Sequence, residues 1–197
     1  MTGLLDFYKL GFTNIIYVHA FNHLLFIIVL CGVYTIASWK RVLWFLIIFF
    51  SGYIISFLLY IFDFFSIPAP VLTYFMPLTT IATAVSNYFL KRNAFINKYP
   101  PQNHRFGLAF LGGIIHGFAI PINLKQHLLH PIDQLLEISF FNLGVVSSIL
   151  TTVGVIFFVG FFLTYFIRVN LRELNLLLSG ACAGIAIYIL VNVIIRL

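Results

Sequence analysis

Charge is what this sequence has least of. Of 197 residues only eleven are Lys or Arg and five are Asp or Glu, 8% together, while 62% are hydrophobic. A soluble domain carries about 25% charged residues, so composition excludes a water-soluble globule and assigns an integral membrane protein. Cysteine is scarce as well. Cys31 and Cys182 stand alone without a CxxC pair, which argues against redox or zinc-ribbon chemistry and makes them small core residues. No glycine-rich nucleotide motif occurs, so ATP-driven work would need a separate subunit. There is no basic domain with stacking aromatics, and no nucleic-acid partner is expected. The opening MTGLLDFYKLGFTN has neither an arginine-rich start nor a small-residue cleavage site; we expect no removable signal peptide.

What is present is a succession of apolar runs. A helix crossing the hydrocarbon takes roughly 20 apolar residues. Six runs qualify, at about Asn14–Ala37, Val42–Ile61, Val71–Leu90, Phe106–Leu124, Gln134–Ile167 and Leu174–Ile195. The gaps are too short for a soluble domain. The expected architecture is an all-α, polytopic membrane bundle of six transmembrane helices, a single domain over residues 1–197, with the lipid bilayer as its first partner. The first ten residues read as an interfacial lead-in, with Phe7, Tyr8 and Lys9 near headgroups. Pro77 predicts a kink in the third helix. The fifth run is longer than a bilayer needs and must tilt, break or project.

The basic residues are placed unevenly. Lys40, Arg41, Lys91, Arg92, Lys98, Arg105, Arg168 and Arg172 fall in loops one, three and five, against Lys9, Lys125 and Arg196 on the other side. The positive-inside rule then makes loops one, three and five cytoplasmic and both termini outside, in a multi-pass inner-membrane protein.

No Lys, Arg, Asp or Glu falls deep within any expected span, so the buried polar inventory is neutral. His19 and His23 are four residues apart, hence on one helix face, with Asn22 beside them. Thr73, Pro77, Thr80, Ala84 and Asn87 trace one stripe of the third helix. Gly113 and Gly117 bracket His116 and allow a neighbouring backbone close to it, and Gly180 and Gly184 form a second notch of the same spacing. Three readings of the histidines stay open on spacing alone: a transition-metal site, a haem clasp, or a hydrogen bond inside the bundle. His127 and His130 read as interfacial, and His104 as solvated.

These residues resemble those of the HupE/UreJ family, six-helix membrane proteins named as hydrogenase and urease accessory factors and regarded as nickel or cobalt permeases. LGFTNIIYVHAFNHLLFIIVL is similar to the family's first signature, in which Asp-His precedes Leu-Leu-Phe. SWKRVLWFLIIFFSGYIIS resembles its second helix and YFMPLTTIATAVSNYF its third. GGIIHGF resembles Gly-Leu-Ile-His-Gly-Phe, and FFNLGVVSSI the start of its fifth helix. The departures remove acidic and imidazole ligands. Asn22 stands for the aspartate, Asn14 and Tyr53 for histidines, Thr73 for a glutamate, and Val146 and Ile149 for Glu and Gln.

The resemblance implies a divalent transition metal, nickel, cobalt or zinc, as the one non-protein group. Its expected ligands are His23 and His116, with His19, Asn22 and Asn142. Asn87, Thr73, Tyr53, Gly113 and Gly117 would form the polar and close-packed surroundings. A runner-up is a non-transporting subunit packed against other membrane subunits. A histidine-zinc hydrolase ranks third, since no acid or base stands ready to activate water, and an enzyme is the less favoured class.

Overall fold

In hydrocarbon every backbone N–H and C=O needs a partner within its own segment, so apolar runs of this length become helices. A computed structural model describes residues 3–16, 21–90, 103–128 and 134–195, all-α among those residues. The helices are α1 (Leu4–Ile16), α2 (Phe21–Cys31), α3 (Trp39–Ile61), α4 (Ala69–Tyr88), α5 (Asn103–Ala119), α6 (Pro121–Lys125), α7 (Leu135–Tyr165) and α8 (Leu171–Ile195).

Four helical stretches are long and apolar enough to cross a membrane: Ile36–Ile61, α4, α7 and α8. The pair α1 and α2, with axes inclined by 66°, adds a fifth if taken as one span. The expected count of six is therefore not reached by length and composition among the described residues. Two local causes account for the difference. The first apolar run is divided between α1 and α2, and hydropathy does not register a change of direction. In the fourth run Pro121 lacks the N–H that would continue the ladder. It leaves α5 at 17 residues, about 26 Å at 1.5 Å per residue.

Pairwise contacts give the directions. Phe45 stacks on Phe106, and Tyr53 lies against Gly117, so α3 and α5 run parallel. Thr79 meets His116 while Ser86 meets His104, so α4 runs antiparallel to both. Asn87 reaches Ser179 while Ala84 clusters with Cys182, so α8 runs antiparallel to α4. One end of the bundle thus carries the start of α3, α5 and α8. The opposite end carries Asp63 and Lys125, which form an ion pair. Asp63 takes a left-handed conformation (φ 59°), and Phe64 N–H returns to Leu59 O at 3.0 Å, the closure that ends α3.

Glycines set the closest approaches. A Cβ at Gly113 would stand 3.0 Å from Tyr53 N, and one at Gly117 would stand 2.6 Å from Tyr53 O. Both glycines of α5 therefore seat the α3 backbone. A second seam joins α1 to α7, where Gly11 faces the Phe141 backbone and Gly144 faces those of Tyr8 and Phe12. This corrects the expected lead-in: Phe7, Gly11 and Ile15, spaced by four, are buried. Gly180 and Gly184 make no such seam, since a Cβ at either meets nothing within 4 Å. α4 passes through Pro77 unbroken, and α7 is one continuous helix. Cys31 and Cys182 are buried and free.

Candidate functional site

Helix α2 begins with Phe21-Asn22-His23, and α5 presents His116 one turn before its end. The two rings meet in the bundle core. His23 Nδ1 lies 2.6 Å from His116 Nδ1, with both side chains buried and ring centroids 4.8 Å apart. At that separation one Nδ1 carries the proton and the other accepts it. On its far side, His116 Nε2 lies 3.3 Å from Thr79 Oγ1 of α4. Phe26 and Phe49 wall the pair, with centroids 4.8 and 6.4 Å from the His116 ring. The Phe26 ring occupies the space that a side chain at Gly112 would need. Glycines at 112, 113 and 117 thus let α2 and α3 close around one imidazole.

The other expected residues distribute differently. Asn22 keeps a buried Oδ1 with no hydrogen-bond partner among the described residues, an acceptor left over beside His23. Asn142 does not join the histidines in a hydrogen bond. Its Oδ1 accepts from Tyr53 Oη at 2.7 Å, and its Nδ2 donates to Ile138 O. Thr73 is spent locally, donating to Pro70 O at 2.6 Å; Thr79, two turns further in, is the threonine that reaches the site. Asn14 donates to Ile120 O at 2.7 Å, tying α1 to the α5–α6 junction. His19 and His130 lie outside the described residues. His104 is exposed against Ser86, and His127 is exposed. Among the described residues no three His, Cys, Asp or Glu side chains gather, so the pair is flanked by neutral oxygens only.

The tyrosine–asparagine contact carries a prediction. Tyr53→Phe leaves Asn142 Oδ1 without its donor and is expected to cost about 1–2 kcal/mol. A denaturant titration in detergent micelles would read this as a lower unfolding midpoint. An unchanged midpoint would mean the amide finds another donor.

The family model described as HupE / UreJ protein matches residues 1–195. The chain belongs to the HupE/UreJ family. No curated protein and no solved structure matches it.

This HupE/UreJ chain also holds a second buried polar cluster, centred on Arg105. From sequence alone that residue counts as a loop charge. It lies instead in the first turn of α5 and is fully buried. Its Nη1 donates to Asn87 Oδ1, and its Nη2 donates to Leu30 O at 2.8 Å. The rings of Tyr34 and Phe45 lie 5.1 and 5.7 Å from its Cζ. Asn87 Nδ2 donates to Val29 O at 2.8 Å and to Ser179 Oγ at 3.0 Å, and Asn175 Nδ2 donates to Asn87 O. Val29 and Leu30 own two of the last carbonyls of α2, which have no partner within that helix. Arg105 and Asn87 cap it. A cation at a helix C-terminus, between two aromatic faces, is stabilised without a carboxylate. The spacing held the signal: eleven residues separate Arg105 from His116, three helical turns, so both lie on one face.

Proposed function

We propose that this protein handles a divalent transition metal ion of the nickel and cobalt class within the membrane, with His23 and His116 as the imidazole ligands. One observation carries the reading: two imidazoles from different helices meet Nδ1 to Nδ1 in the core, in a chain of the HupE/UreJ family. Imidazole nitrogen suits these metals. The ion would replace the proton between the rings and part them. Asn22 Oδ1 and Thr79 Oγ1 are the neutral oxygens at hand. With no carboxylate to offset a double charge in low dielectric, such a site is weak, which suits cargo that must leave again. A second reading, a non-transporting subunit in which the pair is a structural hydrogen bond, draws on the lack of a third ligand of the usual kinds among the described residues.

The deciding measurement is metal stoichiometry and affinity of the purified protein, for nickel, cobalt and zinc separately. His23→Ala and His116→Ala are each expected to lower affinity by at least tenfold, since loss of one of two ligands removes the chelate. His104→Ala is expected to leave it unchanged. If the native protein binds none of the three ions, or binds them equally after both substitutions, the metal reading fails and the subunit reading stands.

The proposal includes an orientation. Lys40, Arg41, Arg168 and Arg172 gather at the end where α3 and α8 begin, and we assign that end to the cytoplasm. In a chain with Cys31 and Cys182 replaced by serine, Ser66→Cys is expected to react with a membrane-impermeant maleimide in intact cells, and Asn170→Cys is not. The reverse pattern would invert the topology.

A further inference from the structure

Helix α7 is longer than its packing requires. None of its residues after Val153 is buried, and Val155, Phe158, Val159, Phe161 and Phe162 are exposed. That half of the helix touches the core only in part, through Ile156 and Phe157, and opens a crevice against α2 and α8. The cavity holds about 160 Å³ and is lined by Ile28 of α2 and Gly32 just past its end, Val155 and Gly160 of α7, and Leu171 and Leu178 of α8. From Leu171 to Leu178 it extends roughly 10 Å along the helix axis. Its walls are apolar except at one end, where Tyr34 and Thr35 line it. The Tyr34 ring packs there against the Arg105 guanidinium, 5.1 Å from its Cζ.

That end is the basic end. Arg168 and Arg172 flank Leu171 in sequence and are exposed, and Lys40 and Arg41 follow Thr35 by one turn of chain beyond the short Ile36–Ser38 helix. Glu173, also exposed, is the acidic side chain beside them, so positive charge is in excess. We propose that the crevice binds one acyl chain of an anionic phospholipid, with its phosphate held at the mouth by Arg168 and Arg172. An apolar slot at this depth in a bilayer meets hydrocarbon tails, and a tail brings its headgroup to the arginines. Basic residues at a membrane surface favour anionic headgroups by roughly fivefold each. The inference is independent of the metal reading.

The test reconstitutes the full chain in vesicles of equal phosphatidylcholine and phosphatidylglycerol, extracts it in mild detergent, and weighs retained lipid by native mass spectrometry. One phosphatidylglycerol per chain is expected. A Cβ at Gly160 meets nothing within 4 Å, so Gly160→Trp fills the slot without a backbone clash and should remove the bound lipid. Arg168→Gln with Arg172→Gln should leave retention but cut the preference for phosphatidylglycerol more than tenfold. If Gly160→Trp fails to fold, the arginine pair decides alone. Equal retention of both lipids by the native chain would overturn the proposal, as would retention unaffected by Gly160→Trp. So would a disulfide-linked dimer through Gly160→Cys in the cysteine-free background, which would make a second copy the occupant.

Discussion

Gly117→Leu is expected to abolish recovery of folded protein from detergent, whereas Gly180→Leu leaves recovery unchanged. At Gly117 even a single added carbon would stand 2.8 Å from Tyr53 Cα and closer still to Ser56 Oγ, so the helices must part. Parting α5 from α3 undoes more than one contact. Gly113 seats the same backbone one turn earlier, Phe45 stacks on Phe106, and His116 is held between Phe49 and Phe26. Overpacking in a well-filled core typically costs 1–3 kcal/mol when side chains can yield. Here the obstacle is backbone, which yields only by moving a whole helix, so the loss exceeds that range. In a membrane, helix association rests on close van der Waals packing. Gly180 offers the matched control: same residue, same spacing to its partner glycine, and open space around it. Size-exclusion profiles of the two variants, purified side by side, give the comparison. Equal recovery would remove the α3–α5 seam from its central place.

The contrast between those glycines shows what a sequence of this kind discloses. Hydropathy located α3, α4, α7 and α8 to within three residues at their ends, because a bilayer imposes length and apolarity on each span directly. Spacing also identified His116 and its flanking glycines, since four-residue periodicity is a local property of a helix. Which helix a face meets is not local. Gly113–Gly117 and Gly180–Gly184 are identical as patterns, yet only the first has a partner. The resemblance groups Asn142 with the histidines, but Tyr53 reaches it and takes its Oδ1. The resemblance points to Thr73 on the third helix and not to Thr79. Only the antiparallel register of α4 on α5 decides that Thr79 comes level with His116. Arg105 was obscured by a rule that usually serves well: a cation near a helix start is counted with the loop.

Arg105→Met is expected to destabilise the bundle by about 2 kcal/mol, and the loss should be strongly coupled to Asn87. Two opposing terms set the sign. Methionine removes a buried charge, which by itself relieves desolvation. It also strips the donor from Leu30 O at the end of α2 and from Asn87 Oδ1. In the bundle no water replaces those donors, and each orphaned acceptor costs about 1–3 kcal/mol. Two acceptors outweigh the relief, because the guanidinium is already stabilised by the α2 terminus and by the Tyr34 and Phe45 rings. Asn87→Leu should cost more, about 3 kcal/mol, since it leaves the cation beside an apolar group while also freeing Val29 O. In the double variant the stranded charge is gone, so its penalty vanishes. The combined loss should then fall short of the sum by about 1–2 kcal/mol. Unfolding midpoints of the four proteins in one detergent close the cycle. Additive losses would show that the two side chains act separately, and a methionine variant as stable as the native chain would show that α2 does not depend on this cap.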